Sequence, residues 1–353
     1  AVLGKDISFS FLWSTAGYDI NQQIIPFTSQ DTHARAALVG ILNTLLVAVL
    51  GCILATVIGV FAGVLRLSKN WLVARVMTFY VECMRNTPLL IWILIVFAVM
   101  TEATPQPRDF REGGTAAMIF GDSVAVTNRG VFIPNPIWAD GSGIVVAILI
   151  LSIIGIFVLR YVARKRQEDT GQQLPVLRLS LAMLIVPVTL AFFALGRPIT
   201  LDYPVLGGFN FEGGLQVRNS FIALWLALSL YTSAFIAEIV RSGILAVSKG
   251  QTEAAFALGI QPNRTMQLII LPQALRVIIP PLISQFLNLT KNSSLALAVG
   301  YMDARSTLGG ITVNQTGREL EGILLLGIFY LITSLIISSA MNFYNSGVKL
   351  KER

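Results

Sequence analysis

Three groups of residues in this 353-residue chain have types and spacings that could do chemistry. Lys291 sits with Asn292 and Ser293 inside an otherwise apolar stretch, about ten residues beyond Pro281 and ten before Tyr301. Glu82 and Arg85, followed by Asn86 and Thr87, form one Glu-x-x-Arg pair, and Glu238 and Arg241 form a second. Glu253-Ala254-Ala255-Phe256-Ala257-Leu258-Gly259 sits in a polar loop. An ionised group within an apolar span costs roughly 2.5–3.5 kcal/mol on insertion scales, so it faces a partner or a cavity. Lys291 therefore has two readings: recognition of a ligand carboxylate, or a structural ion pair with Glu82 or Glu238. The Glu-x-x-Arg spacing puts both members on one helical face. Such pairs either neutralise themselves at the membrane boundary or line a path.

The surrounding composition explains why those charges stand out. Hydrophobic residues are 54% of the chain and charged ones 13%, about half the roughly 25% of a soluble domain. The charges gather in clusters and leave long runs bare, which is the pattern of a polytopic membrane protein. A bilayer core needs about 20 apolar helical residues. Charge-free runs predict seven spans: between Arg35 and Arg66, from about Trp71 to Met100, from Asp140 to Arg160, from Arg178 to Arg197, from Arg218 to about Arg241, from Pro281 to Tyr301, and between Glu321 and Lys349. The expected fold class is an all-α polytopic membrane protein. Pro280-Pro281 is expected to break the helix before the sixth span, as either a moving joint or a fixed kink.

Two cysteines, Cys52 and Cys83, exclude a disulfide scaffold and a cysteine-built metal cluster. A single histidine, His33, removes most histidine-based catalysis. No nucleophile–base pair is visible, and no lysine is followed by Ser or Thr, so a phosphate-binding loop is absent. Net charge is +7. With the first span running outside to inside, 16 of the 26 basic residues fall on the inner side, among them Arg160, Arg164, Lys165, Arg166, Arg178, Lys349, Lys351 and Arg353. That excess follows the positive-inside rule and needs no nucleic acid to explain it. It places residues 1–35 outside and the C-terminus in the cytoplasm. Ala at position 1 leaves room for an upstream signal or anchor helix.

The stretches 101–142 and 196–218 are then outer loops, with 143–195 as an additional pair of spans. Val124, Val126, Val131 and Ile133 alternate around Asn128-Arg129-Gly130, which predicts a hairpin. Gly207 to Gly214 predicts another turn with short extended arms. Loops of this length usually have work to do, and contact with an outside partner is the functional reading.

The inner loop 248–272 predicts a short helix. Thr252 is a candidate N-cap, Glu253 suits the positive helix end, and Gly259 can adopt the left-handed ending conformation. Physics alone gives a docking helix. Its spacing adds more: Glu253-Ala254-Ala255, Gly259, then Ile269-Ile270-Leu271-Pro272 resembles the EAA loop of ABC-transporter permeases. Arg85-Asn86-Thr87-Pro88-Leu89-Leu90, Ala237 to Ile244, Leu271 to Arg276 and Lys291-Asn292-Ser293-Ser294-Leu295 resemble the polar amino-acid (histidine/glutamine-type) permeases. The outer loop and the additional spans resemble the branch of general L-amino-acid and glutamate/glutamine/aspartate/asparagine permeases.

That resemblance implies a type I ABC importer transmembrane domain over residues 36–353, located in the bacterial inner membrane. It implies that the chain is a transport subunit without catalysis of its own. It binds no cofactor or metal, since ATP and magnesium belong to partner ATPase subunits. The other implied partners are a homologous permease subunit forming a heterodimer, a periplasmic amino-acid-binding protein and membrane lipid. Glu253, Ala254, Ala255, Phe256, Leu258 and Gly259 would couple to the ATPase. Amino acids are zwitterions, so a path for them needs a cation and acceptors. Glu82, Arg85, Asn86, Thr87, Glu238, Arg241, Lys291, Asn292 and Ser293 are the candidates. The competing reading is a self-contained ion-coupled transporter with a midplane site among broken helices. A membrane enzyme is the third.

Overall fold

The computed structural model describes residues 7–348, with side chains described as far as Phe343. Lys349, Lys351 and Arg353, and with them the expected cytoplasmic C-terminus, lie outside the described residues. The chain divides into two compact units: Pro105–Val217, and the residues before and after it.

The larger unit is helical. α1 (His33–Leu65) fills the first charge-free run, and Thr32 caps it by accepting from the Arg35 amide. At 1.5 Å per residue its 33 residues run about 50 Å, longer than the bilayer core. α6 (Asn219–Leu245), α9 (Leu271–Asn292) and α12 (Glu319–Val348) are the other long helices. α1 carries buried small residues every fourth position, Gly51, Ala55, Gly59 and Gly63 among them. Gly59 and Gly63 seat against the Ser233, Ile236, Ala237 and Val240 face of α6, whereas Gly51 closes on Leu289 of α9. A Cβ on Gly59 would lie 2.6 Å from the Ile236 Cβ, and one on Gly63 2.6 Å from the Ala237 carbonyl oxygen. The helices thus meet backbone to backbone, which lets dispersion forces act where lipid gives no hydrophobic drive. Gly63→Val is expected to cost about 1–3 kcal/mol by overpacking. It should lower the thermal midpoint of the solubilised protein. Gly327→Ala, in α12 with open space around its Cβ direction, should leave the midpoint unchanged.

Two expectations are corrected. The second span is not one helix: α2 (Trp71–Asn86) and α3 (Leu89–Glu102) meet at a bend of 108°. Thr87 precedes Pro88, and a residue before proline is pushed out of the α region; its ψ is 136°. Conversely, Pro280 and Pro281 do not break the chain, because α9 runs through both. α8 (Pro262–Thr265), a π-helical turn over Met266–Ile270, α9 and a 3-10 segment over Ser293–Val299 form one apolar helical run, Pro262–Val299. Donors lost at an internal proline are tolerated where neighbouring helices satisfy the freed groups. Among the described residues six helical runs are long and apolar enough to span a membrane, or seven with the bent pair.

Between α1, α9 and α12 lies an apolar groove of about 660 Å³, lined by Leu45, Cys52, Phe286, Phe329, Ile332 and Ile336 among others. Beyond the 3-10 segment the chain is tied to the N-terminal half of α1. Tyr301 donates to the Asn43 carbonyl, Asn43 donates to the Met302 carbonyl, and Thr44 Oγ1 accepts from the Ala304 amide. Asp303, fully buried, caps α10 (Ala304–Ser306) by accepting from the Ser306 amide and hydroxyl. Burial pushes its carboxyl above the usual carboxylate range, against the pull of the Ser306 donors. A second π-helical turn and α11 (Thr312–Thr316) lead into α12.

In the smaller unit α4 (Ser142–Thr170) and α5 (Val176–Ala194) form an antiparallel hairpin, as the additional pair of spans requires. The strands gather at the end opposite the 171–175 turn. β1 (Ala125–Thr127) and β2 (Gly130–Ile133) make the expected hairpin, with Thr127 facing Gly130 across Asn128-Arg129. β3 (Asn135–Trp138) pairs with β4 (Ile199–Asp202), β5 (Val205–Leu206) with β6 (Phe211–Glu212), and β7 (Leu215–Val217) with β2. The β5–β6 turn is the one expected over 207–214. The β3–β4 pair was not readable, because Pro136 argues against a strand; it is tolerated in a two-stranded, all-edge sheet.

Candidate functional site: a coupling helix and intramembrane charges

The inner loop forms α7 (Lys249–Ala257). Its cap differs from expectation: Ser248, four residues before Thr252, accepts from the Gly250 amide and starts the helix earlier. Its end is as expected. Gly259 takes φ +73°, its amide donates to the Phe256 carbonyl at 2.9 Å, and the Ile260 amide donates to the Ala255 carbonyl at 3.0 Å. These two bonds make a Schellman ending, which stops the helix sharply. Ala255 is buried, whereas Glu253, Ala254, Phe256 and Leu258 are exposed. Phe256 and Leu258 expose 54% and 78% of their surface, so α7 presents two large apolar side chains outward. Gln273 of α9 donates to Gln251 at 3.3 Å, linking the loop helix to the transmembrane run.

Near the C-terminal end of α6, Glu238 gathers three arginines. Arg66, just past α1, donates to its Oε2, Arg241 donates to Oε1 at 2.8 Å, and Arg85 lies 3.9 Å away. Arg85 also stands 5.5 Å over the Phe235 ring, within cation–π range. The expected Glu238–Arg241 pair forms. The expected Glu82–Arg85 pair does not: Arg85 turns to Glu238, and Glu82 accepts from Asn86 at 3.2 Å instead. Four charged groups tie α1, α2 and α6 together. Arg66, whose side chain is only 8% exposed, was legible as an inner-side basic residue but not as the main partner of Glu238.

Lys291 occupies the last turn of α9, where the α-helix tightens to 3-10. It is exposed and forms no ion pair among the described residues. The structural pairing with Glu238 is therefore not formed, since both oxygens of that carboxylate are held by arginines, and Glu82 is engaged by Asn86. Ser293 is buried and donates to the Thr290 carbonyl at 2.7 Å, with Asn292 half-buried between them. The structure thus brings together Glu238, Arg241 and Arg85, and separately Glu82 with Asn86. Lys291, Asn292 and Ser293 stand as a third, consecutive group. Thr87 lies at the bend between α2 and α3. No group of metal-binding side chains occurs among the described residues.

Comparison with known proteins follows the same lines. The family described as "Binding-protein-dependent transport system inner membrane component" matches residues 169–349. The glutamate/glutamine/aspartate/asparagine transport system permease protein BztB of Rhodobacter capsulatus is 56% identical, over 99% of this chain and 87% of its own. The general L-amino acid transport system permease protein AapQ of Rhizobium johnstonii is 46% identical, over 98% of this chain and 84% of its own. Among solved structures, the crystal structure of an amino acid ABC transporter with histidines superposes with a TM-score of 0.51. The match is 18% identical and covers 89% of this chain and 94% of that one, a likeness of fold alone.

Proposed function

Because the chain belongs to the binding-protein-dependent transport system inner membrane components, we propose that it is the permease subunit of an importer for polar L-amino acids, acidic ones and their amides included. It is a multi-pass membrane protein and a transport subunit, with ATP hydrolysis supplied by partner ATPase chains. That membership sets aside the self-contained ion-coupled transporter. Substrate reaches the outer face on a binding protein. The chain forms half of the path, and a homologous sibling supplies the other half. The inner membrane of a bacterium, with the C-terminus in the cytoplasm, is the location that the basic inner turns favour.

The observation that carries the mechanism is the sharply ended helix α7, offering Phe256 and Leu258 away from the protein while Gln251 ties it to α9. In this reading α7 seats on the ATPase, and nucleotide-driven movement passes through α9 to Lys291. Lys291, with no carboxylate of its own, takes the substrate α-carboxylate, and Asn292 stands beside it as a neutral partner. Glu82, exposed on α2, offers an acceptor for the ammonium; Thr87 adds a hydroxyl at the bend. The Glu238 cluster fixes α2, which carries Glu82, against α1 and α6.

The test is uptake by the reconstituted assembly. Lys291→Met should raise the half-saturating substrate concentration or abolish substrate-stimulated ATP hydrolysis, by at least about 10-fold for loss of a charge-assisted hydrogen bond. Basal hydrolysis should be retained. Wild-type affinity and transport in that variant would remove Lys291 from the path.

A further inference from the structure

The smaller unit holds a cationic pocket whose lining includes none of the path candidates named above. It has a volume of about 210 Å³ and is lined by Gln106, Pro107, Arg108, Arg111, Arg129, Leu206, Gly208 and Phe209. Three of these residues are arginines, and no carboxylate residue lines it among the described residues. The tip of the β5–β6 hairpin forms one wall, closed by the Gly207 amide donating to the Asn210 carbonyl. Arg111 donates to the Gly208 carbonyl at 2.6 Å and Arg129 to the Phe209 carbonyl at 3.1 Å. Those acceptors are neutral, so they fix the two side chains without cancelling their charge. Among the described residues Arg108 forms an ion pair only with its neighbour Asp109, at 3.8 Å, with 72% of its side chain exposed.

The support beneath the pocket is firm. Phe132 and Phe211 are buried together, with Phe110 edge-on to Phe211 at 5.3 Å. Gln216 of β7 donates to the Arg129 carbonyl at 2.9 Å. Against that firm base, Phe209 is 90% exposed at the rim. Fixed arginines beside an exposed aromatic ring are the composition of an interface hot spot. Guanidinium forks match carboxylates in geometry as well as charge. The end of the unit on which this pocket lies is also informative. Arg160, Arg164, Lys165, Arg166 and Arg178 cluster toward the α4–α5 turn, so the strand-bearing end faces outward by the positive-inside rule.

We infer that this pocket is a docking site for the periplasmic binding protein, receiving acidic side chains from that protein's surface between Arg108, Arg111 and Arg129 while Phe209 packs against the rim. The inference rests on the import reading above. Charge complementarity of this kind mainly sets encounter rate and register, so it should appear in affinity and salt dependence rather than in maximal turnover.

The experiment uses the full assembly in nanodiscs and the system's own substrate-loaded binding protein, with stimulated ATP hydrolysis followed against binding-protein concentration. In the wild type, half-saturation should move to higher concentration as salt rises. Arg111→Gln with Arg129→Gln should raise half-saturation about 10-fold or more and flatten the salt dependence, with the maximal rate and basal hydrolysis unchanged. Arg108→Gln, which removes neither of the two hydrogen bonds to the hairpin, should shift half-saturation the same way by about 3-fold or more. It serves as the readout should the double variant fail to assemble. Half-saturation and salt dependence equal to wild type in Arg108→Gln and in any double variant that assembles would overturn the inference, as would a lowered maximal rate at unchanged half-saturation. Failure of the import reading itself would look different, because the wild type would then show no stimulation by binding protein.

Discussion

Replacing Phe256 and Leu258 together by serine is expected to release the ATPase from the solubilised assembly while leaving the permease folded. Both side chains point away from the protein, and the residue of α7 that turns inward is Ala255. The Schellman ending consists of backbone bonds from Gly259 and Ile260, so serine at 256 and 258 does not disturb it. Truncating a buried interface anchor costs about 2 kcal/mol or more, roughly 30-fold in affinity for each. ATPase recovered by co-purification should therefore fall by about 100-fold or more. Substrate-stimulated hydrolysis should vanish, with the thermal midpoint of the permease retained. Gly259→Val attacks the same device from the backbone, because a β-branched residue at φ +73° is strained. Full ATPase retention and normal uptake after removal of α7 would end the coupling proposal.

Glu238→Gln is expected to give the largest loss of stability. The substitution leaves Arg66, Arg85 and Arg241 clustered without their shared carboxylate, and Arg66 has 8% of its side chain exposed. Removing one partner of a buried ion pair costs about 3–5 kcal/mol; with Glu238 a quarter exposed, the lower end applies. At roughly 2–4 °C per kcal/mol for a unit of this size, the thermal midpoint should drop by about 6–12 °C. The paired change Glu238→Leu with Arg66→Met removes the most buried charge along with the carboxylate and should recover a large part of the loss. A midpoint in Glu238→Gln within 2 °C of wild type, on the same scale of about 2–4 °C per kcal/mol, would mean that the cluster is not what joins α1, α2 and α6.

Most of the helical fold was legible because a membrane makes one demand above others, a long charge-free run; α1, α5, α6 and α12 answer it within a few residues, and α4 continues ten residues beyond its run, to Thr170. The loop helix was legible for a different reason: its glycine and its spacing fix local geometry that needs no partner. What escaped was everything decided between segments. Glu82 and Arg85 have helical spacing, yet the charge of Arg85 is answered from α6, which no local spacing records. The two proline sites show the same limit. Thr87-Pro88 bends the chain, since the residue before proline leaves the helix at the end of a polar turn. Pro280-Pro281 sits within α9, which packs against α6 and α12 and continues through both prolines. The arginines of the outer pocket were visible only as outer charges, because 111 and 129 converge through a hairpin that begins almost eighty residues after Arg129.

The glycine seam between α1 and α6 has a consequence for how such a machine can move. Where backbones touch and ions bridge the same two helices, neither can rotate without breaking both kinds of contact, so the two are welded into one block. Another flank of α1 faces an apolar groove whose other walls are side chains of α9 and α12. Turning of α1 and α6 as a pair, rather than of either one alone, is the motion this seam leaves open.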